Sequence, residues 1–374
     1  MIIGIDISQI VYGTGVSFYT SSLVENLLKI DKTNEYRLLA GTLRQSVFFK
    51  DYFTSLKDFK NAKGKIVSFP PYLADLFSNR LHLLPIESFL DKIDVFHSSD
   101  WSQPPTRAAK ITTIHDFGFL KFPATAHPKI KSVMARRLKW VKKEVDMIIA
   151  ISESTKKDIM EILNIPEEKI KVVYEAAPND VVQIKDQKKI NQIKNKYKLD
   201  DGFLLSVATL EPRKNLKRII LAFQKIKKDF PSMKLVIAGK SGWDQGLNEI
   251  IRQKQSDIVF TGYVNRDDLM TLYSSASCFV FPSLYEGFGL PILEAMKCGA
   301  PVVTSNVSSM SEITGQAGVL VDPLSVEKIA QGIKKAISDK ESLIKKGFKQ
   351  ADSFSWEKTA KETLEVYKKA VENK

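Results

Sequence analysis

Short apolar runs alternate with amphipathic helical segments along most of the chain, and this alternation restricts the fold more than any other feature. In the first half, runs typical of buried strands cover residues 2–7, 36–40, 65–69, 94–97, 110–115, 146–151 and 169–174. Helical patterns separate most of them, for example over residues 16–30. Such alternation predicts a parallel β-sheet with helices on both faces.

The same alternation starts again after a polar, lysine-rich stretch at residues 183–201. Strand-like runs follow at residues 203–208, 234–238, 258–261, 277–281, 301–304 and 318–321. A chain of 374 residues is too long for one ordinary core. We therefore predict an α/β protein with two doubly wound domains, residues 1–182 and 183–355. Ligands of open α/β sheets bind at the carboxyl ends of the strands, so the loops there are expected to line a site.

The two cysteines and the hydropathy pattern restrict the cellular setting. Cys278 and Cys298 lie in apolar or strand–helix contexts, far from any spacing that would hold zinc. The first strand begins at residue 2, which leaves no room for a signal peptide. No apolar run approaches the roughly 18 residues that a membrane span needs. These features predict a soluble, cytoplasmic protein.

The formal net charge of +13 calls for an explanation. Nucleic acid, an anionic membrane surface and phosphorylated substrates are the three candidate partners, and no motif typical of nucleic-acid binding supports the first. Residues 126–145 form a basic helical pattern that contains Trp140. This helix either covers the sheet or contacts anionic lipid at the inner face of the cell membrane, and the sequence leaves both alternatives open.

A glycine-containing turn with two carboxylates follows the strand at residues 277–281. Glu286 begins the turn, and Glu294 lies one turn inside the helix that starts near Leu290. Backbone N–H groups at the start of a helix, next to the positive end of its dipole, bind anions. The four residues that form this predicted anion site are Gly287, Phe288, Gly289 and Leu290. The alternative is a plain strand–helix turn with a capping glutamate.

Two cations and the lack of an acidic pair define the kind of anion. Arg213 and Lys214 lie between a strand and a helix of the same domain, where an arginine fork and a lysine point charge suit a diphosphate. No Asp-x-Asp occurs in the chain, and that pair would hold Mg²⁺ or Mn²⁺ on a diphosphate. The sequence therefore predicts a diphosphate site that uses no metal and no other cofactor.

The first domain contributes a histidine and a glycine loop. His115, followed by Asp116, ends a predicted strand, where imidazole can exchange hydrogen bonds with a ligand or cap a loop. Gly13 and Gly15 form a loop before the first helix, but Phe18 stands where a dinucleotide fingerprint requires a third glycine. A nicotinamide cofactor is therefore not expected.

Taken together, these motifs resemble the retaining glycosyltransferases of family 4. The resemblance rests on Tyr-Glu-Gly-Phe-Gly-Leu-Pro-x-Leu-Glu, Glu-Pro-Arg-Lys-Asn, Thr-Ile-His-Asp, Ile-Ser-Glu-Ser-Thr and Phe-Ser-Trp, which span nearly the whole chain. It implies the GT-B fold, with two Rossmann-like domains facing a central cleft and a last helix, from Trp356, that crosses back to the first domain. The most similar group is that of bacterial mannosyltransferase-like enzymes of surface polysaccharide assembly.

The resemblance also implies a role for each site residue. Glu294 would hold the ribose of a sugar nucleotide, and Glu286 would contact the transferred sugar. Arg213 and Lys214 would hold the diphosphate. The remaining assigned residues contact sugar, phosphate or acceptor, and they are Gly15, His115, Phe288, Gly289 and Leu290. Many relatives carry Gly-Arg where this chain has Ala208-Thr209, which places more of the phosphate charge on Arg213 and Lys214.

The function that the resemblance implies is a metal-independent, retaining transfer of a hexose from a nucleotide diphosphate to a glycan or lipid-linked acceptor. Mannose from GDP-mannose is the first expectation and a UDP-sugar the second. A sugar-nucleotide epimerase of the same fold, or a basic protein that binds nucleic acid or membrane, is the alternative. The base, the sugar, the acceptor, the linkage and the oligomeric state stay open.

Overall fold

A computed structural model describes residues 1–199, 202–242, 244, 247 and 256–374. The chain divides into two compact units. The first unit contains Met1–Glu175 and Ser355–Lys374, and the second contains Ala176–Phe354. The sequence prediction had placed the division after residue 182 and had assigned residues 356–374 to the first domain.

The first unit is built on seven strands. They are β1 (Ile2–Asp6), β2 (Glu35–Thr42), β3 (Ala62–Ser68), β4 (Val95–Ser98), β5 (Ala109–Ile114), β6 (Met147–Ala150) and β7 (Ile170–Val172). Its helices are α1 (Gly15–Ile30), α2 (Ser46–Ser55), α3 (Pro71–Ala74), α4 (Glu87–Leu90), α5 (Gly118–Lys121), α6 (Pro128–Glu144) and α7 (Glu153–Leu163). Short 3-10 turns cover Ser8–Tyr12, Pro123–Thr125 and Glu167–Lys169, and a π-helical segment covers Asp75–Arg80.

The described part of the second unit contains six strands. They are β8 (Phe203–Val207), β9 (Lys234–Ala238), β10 (Ile258–Gly262), β11 (Cys278–Phe281), β12 (Val302–Ser305) and β13 (Val319–Val321). Its described helices are α8 (Gln187–Lys196), α9 (Leu216–Ile226), α10 (Arg266–Ser275), α11 (Leu290–Lys297), α12 (Ser309–Thr314), α13 (Val326–Ser338) and α14 (Lys340–Asp352), with a 3-10 turn at Pro212–Lys214. The last helix of the chain is α15 (Trp356–Glu372), which belongs to the first unit.

Both sheets are parallel and doubly wound, as the alternation predicted. The first has the order β3-β2-β1-β4-β5-β6-β7 and the second the order β10-β9-β8-β11-β12-β13. Strands such as β6 and β11 are buried along their full length, which is why their sequences read as continuous apolar runs. In each sheet the order reverses beside the first strand of the unit, and ligands of such sheets bind at that switch point.

The last helix is anchored to the first unit by aromatic side chains. Trp356 is 1% exposed and contacts Phe18 and Tyr19 of α1 edge to face, with centroid distances of 5.6 and 5.9 Å. Farther along, the Tyr367 hydroxyl lies 2.8 Å from Nδ1 of His97 in β4. The predicted return of this helix to the first domain is confirmed. Across the residues that the structure describes, no helix is both long enough and apolar enough to cross a bilayer.

Candidate functional site

The turn that leads from β11 into α11 is held in place by two serines. The Ser308 and Ser309 hydroxyls both donate to the Glu286 carbonyl, at 2.5 and 2.9 Å. The Ser309 hydroxyl also contacts the Phe288 carbonyl at 2.8 Å. Gly289 has φ 110°, which disfavours any side chain, and a Cβ there would lie 3.1 Å from Cδ1 of Ile292. The glycine is therefore required by the backbone conformation.

The start of α11 presents backbone donors at Gly289 and Leu290, and their binding to an anion stays a prediction. Among the residues that the structure describes, no protein acceptor pairs with the N–H groups of Gly289 and Leu290. Pro291 occupies the first turn, where it sacrifices no helical hydrogen bond. These N–H groups and the positive end of the helix dipole favour an anion.

Glu286 lies between the two predicted phosphate ligands. Its Oε2 accepts from Arg213 Nη1 at 2.8 Å, and its Oε1 accepts from Lys214 Nζ at 2.7 Å. All three side chains are between 10% and 15% exposed. Burial raises the pKa of the Glu286 carboxyl, but the charges of Lys214 and Arg213 outweigh burial and lower that pKa to about 2. Glu286 is therefore ionised at neutral pH and holds both cations in place.

Contacts among three loops, those after β8, β11 and β13, fix the position of the cations. Asn215, with φ 60°, follows the 3-10 turn and donates from Nδ2 to the Pro282 carbonyl at 2.9 Å and the Pro323 carbonyl at 2.7 Å. The backbone N–H of Leu284 donates to the Arg213 carbonyl at 2.9 Å. Arg213 also lies 3.5 Å from the Glu211 carboxylate. The loop after β8 and the loop after β11 are thus one connected structure, which explains why motifs far apart in sequence meet here.

Glu294 occupies a different environment from Glu286. It lines a cavity of about 200 Å³ with residues of α10 and the loop before it, namely Tyr263, Val264, Arg266, Leu269, Met270 and Tyr273. The Tyr273 hydroxyl donates to Glu294 Oε2 at 3.3 Å. Burial is the main cause that raises the pKa of Glu294 to about 7, although Arg266 and the Tyr273 hydrogen bond oppose it. This carboxyl therefore titrates near neutral pH.

His115 lies in the first unit, at the end of β5. Its Nδ1 is 3.2 Å from Oε1 of Glu175, and its ring contacts Tyr19 edge to face at 4.8 Å between centroids. Glu175 was missed at the level of sequence. Its position after β7, at the same carboxyl edge of the sheet as His115, could have indicated a role in the site. A single glutamate after a short strand, however, forms no recognisable motif. Gly15 has open space where a Cβ would stand, so its predicted close approach to a ligand stays a prediction.

A larger cavity of about 640 Å³ lies at the carboxyl edge of the first sheet. Its walls are mainly aromatic and aliphatic, with Tyr12, Phe69, Tyr72, Trp101, Ile130 and Val133. Its polar lining includes Asp6, Ser8, Gln9, Arg80, Lys129 and Arg136. No sequence motif predicted this cavity, although Lys129 and Arg136 belong to the basic helical pattern at residues 126–145.

The basic helix α6 packs on the first unit, and the ring of its tryptophan contacts other residues of that unit. Trp140 stacks on His82, with 3.6 Å between ring centroids, and donates from Nε1 to the Asn79 carbonyl at 2.8 Å. The exposed side of α6 contains Lys139, Lys142 and Lys143. Contact of this surface with anionic lipid stays a prediction. Within the described part of the chain, no group of three or more His, Cys, Asp or Glu side chains is placed to hold a metal.

Comparison with known protein families matches both halves of the chain. Residues 14–178 match the model described as Glycosyltransferase Family 4, and residues 186–350 match the model described as Glycosyl transferases group 1. The two models together cover β2 to β13 and the turn that contains Glu286 and Glu294.

Individual relatives agree with the family models. The chain is 30% identical over 377 residues to O-antigen chain mannosyltransferase B of Escherichia coli, covering 95% of this chain and 96% of the relative. It is 35% identical over 225 residues to the serotype-specific mannosyltransferase WbdA of Escherichia coli, covering 58% of this chain and 28% of that protein. The Anabaena HepE structure, solved with UDP and glucose, has a TM-score of 0.73 at 16% identity over 99% of this chain and 100% of HepE. That likeness concerns the fold.

Proposed function

The chain belongs to glycosyltransferase family 4, has the GT-B fold and is a glycosyltransferase, and we propose that it transfers mannose from GDP-mannose to a glycan acceptor. In the proposed step, the bond between the anomeric carbon and the β-phosphate oxygen breaks, and its electron pair leaves with GDP. The anomeric carbon forms a bond to an acceptor hydroxyl oxygen, and the hydroxyl proton passes to the departing phosphate. The mannosyl group is proposed because two relatives are named as mannosyltransferases.

The observation that carries the proposal is the Glu286–Arg213–Lys214 cluster beside the start of α11. A leaving diphosphate gains negative charge as the sugar bond breaks, and donors fixed before the reaction stabilise that charge without reorganising. Glu286 fixes Arg213 and Lys214 at 2.8 and 2.7 Å, and the same turn contains the N–H groups of Gly289 and Leu290, which pair with no acceptor among the described residues. Two cations and a helix start can hold a diphosphate without a metal ion, and a metal-independent reaction is part of the proposal.

The cavity beside Glu294 supports a nucleoside subsite. A carboxylate accepts hydrogen bonds from two vicinal ribose hydroxyls, and Tyr273, which donates to Glu294, orients that carboxylate. Tyr263 is 71% exposed and lines the cavity, so its ring can contact a base. Guanine is proposed because the family resemblance implies GDP-mannose as the first donor, and uracil is the second candidate.

The large cavity of the first unit supports an acceptor subsite. Ligand pockets are mostly apolar with a few polar groups that set orientation, and this cavity has that composition. Tyr12 and Trp101 meet edge to face, 6.5 Å apart, and expose 52% and 38% of their surface for contact with the apolar faces of sugar rings. Arg136 and Arg80 both pair with Asp75. With the additional charge of Lys129, they suit a saccharide attached to a lipid through phosphate.

The test is product analysis of the purified protein with GDP-mannose, with and without α-mannobiose as the acceptor probe. We expect mannose transfer and GDP release that depend on the acceptor. The one-bond carbon–proton coupling at the new anomeric centre is expected to show the α configuration of the donor, because we propose a retaining reaction. Transfer from UDP-sugars alone would replace the donor assignment. An epimerised sugar nucleotide formed without acceptor would refute transfer.

A further inference from the structure

His115 is held on several sides by residues of the first unit. Nδ1 of the ring lies 3.2 Å from Oε1 of Glu175, a side chain that is only 4% exposed. The Tyr19 ring meets the imidazole at an interplanar angle of 85°. The Thr155 hydroxyl of α7 donates to the His115 carbonyl at 3.4 Å. Glu175 and Tyr19 therefore contact the imidazole, and Thr155 holds the backbone of His115.

The charges that face this imidazole are mostly negative. Glu175 follows β7, Asp100 follows β4 and Asp116 follows β5, and all three carboxylates favour a positive ring. Arg137 of α6 lies 3.2 Å from Asp100 and offsets one of them. Nearby His97 is neutral at physiological pH, because burial is the main cause that lowers its pKa to about 3. The tyrosine of α1, Tyr19, has a raised pKa from burial and stays neutral as well.

The balance of these effects favours a protonated ring. Burial alone would lower the pKa of His115, but the hydrogen bond and charge of Glu175, with Asp100 and Asp116, raise it above the ordinary value. When the ring is protonated, both nitrogens donate. When it is neutral, the carboxylate retains the proton on Nδ1, and Nε2 becomes an acceptor only.

We propose that Glu175 is a positioning residue for the transfer reaction: its carboxylate holds the His115 imidazolium through Nδ1–H and leaves Nε2–H to donate a hydrogen bond to the substrate. His115 then acts as a donor and not as a base, since the proton that a base would need to accept is already present. This inference rests on the proposed function, because it assigns His115 to the substrate. A purely structural ion pair would hold the end of β7 equally well but would not affect the protonation required for transfer.

The first experiment compares the pH dependence of kcat/KM for wild type and Glu175→Gln. The amide oxygen of glutamine can still accept the Nδ1–H hydrogen bond, but it carries no charge. Activity of the wild type is expected to fall as the pH rises through the raised pKa of His115. In Glu175→Gln that alkaline decline is expected to begin about one pH unit lower, and Glu175→Asp is expected to restore part of the difference. A loss of activity that is equal at every pH would overturn the proposal.

A second measurement separates this inference from the proposed function. The ring nitrogens of His115 can be followed by nitrogen-detected NMR titration of the ligand-free protein, which requires no activity. We expect His115 to titrate at lower pH in Glu175→Gln than in wild type and in Glu168→Gln, a control that removes an exposed carboxyl just before β7. An unchanged titration would overturn the inference even if mannose transfer is observed. If the titration shifts but the protein transfers no sugar, the proposed function is refuted. The effect of Glu175 on the protonation of His115 would still be supported.

Discussion

Glu286 and Glu294 are eight positions apart in one motif, yet the structure gives them opposite electrostatic environments. Two cations lower the pKa of Glu286 to about 2, whereas burial is the main cause that raises the pKa of Glu294 to about 7. Both carboxylates were identified from the sequence, Glu286 in the turn and Glu294 one turn inside the helix that follows. Their difference depends on the charges of Arg213 and Lys214 and on the burial of Glu294 in the folded unit, so no local pattern could reveal it.

Lys214 is expected to carry a large share of the charge stabilisation. Replacing it with alanine removes one donor from the diphosphate and leaves Glu286 with Arg213 as its remaining ion-pair partner. We predict that Lys214→Ala lowers kcat/KM by at least about 100-fold, the usual scale for a lost donor to a developing anion. Lys217→Ala, an exposed lysine of α9, is the matched control and is expected to keep wild-type kinetics. Equal kinetics in both variants would contradict the role of Lys214.

The raised pKa of Glu294 predicts that the affinity for the donor nucleotide depends on pH. The carboxylate form accepts ribose hydroxyls better than the neutral acid does, and the neutral form gains population as the pH falls through about 7. The dissociation constant of GDP is therefore expected to rise by up to about tenfold for each pH unit below 7 and to level off above it. Glu294→Gln is expected to bind GDP weakly with no such slope. A slope that persists in Glu294→Gln would assign the titration to another group.

At the scale of elements, the alternation of strand and helix patterns predicted both sheets, because the buried strands are rich in apolar residues. Boundaries differed by one to three residues at most ends, as for β7, which covers Ile170–Val172 where residues 169–174 were predicted. The large cavity of the first unit could not be predicted. Its walls come from the 3-10 turn after β1, the loop after β3 and helix α6, and only the folded chain brings them together.

The last helix is an element whose role can be tested by stability. Trp356 is buried against Phe18 and Tyr19, so Trp356→Ala leaves a cavity as well as losing the buried surface. We expect the free energy of unfolding to fall by about 3–5 kcal/mol, the range for large aromatic side chains in a core. Denaturant unfolding followed by far-ultraviolet circular dichroism measures this change. Lys368→Ala, an exposed position on the same helix, is the control, and equal losses in the two variants would show that the aromatic contact contributes little.

For the whole molecule, the sequence predicted two parallel-sheet domains and the return of the last helix, and the structure confirms both. The family and the general reaction were also predicted from sequence motifs. This was possible because the residues of each functional loop lie close together in the sequence and form a recognisable motif. The contact between His115 and Glu175 was not predicted. Glu175 is the last residue of its segment in the first unit, and the residues around it form no recognisable motif. Ion pairs between loops that are distant in sequence form only when the chain is folded, so a local sequence pattern does not reveal them.

The central claim is that the cations and carboxylates of the second unit form a site for a nucleoside diphosphate. Isothermal titration with GDP, UDP and ADP at pH 8, where Glu294 is mainly ionised, tests it most directly. We predict one site per chain with a preference for GDP, and affinity that falls at least about tenfold in both Lys214→Ala and Glu294→Ala, as expected when a buried binding group is lost. No binding of any of the three nucleotides, or undiminished binding by both variants, would contradict it.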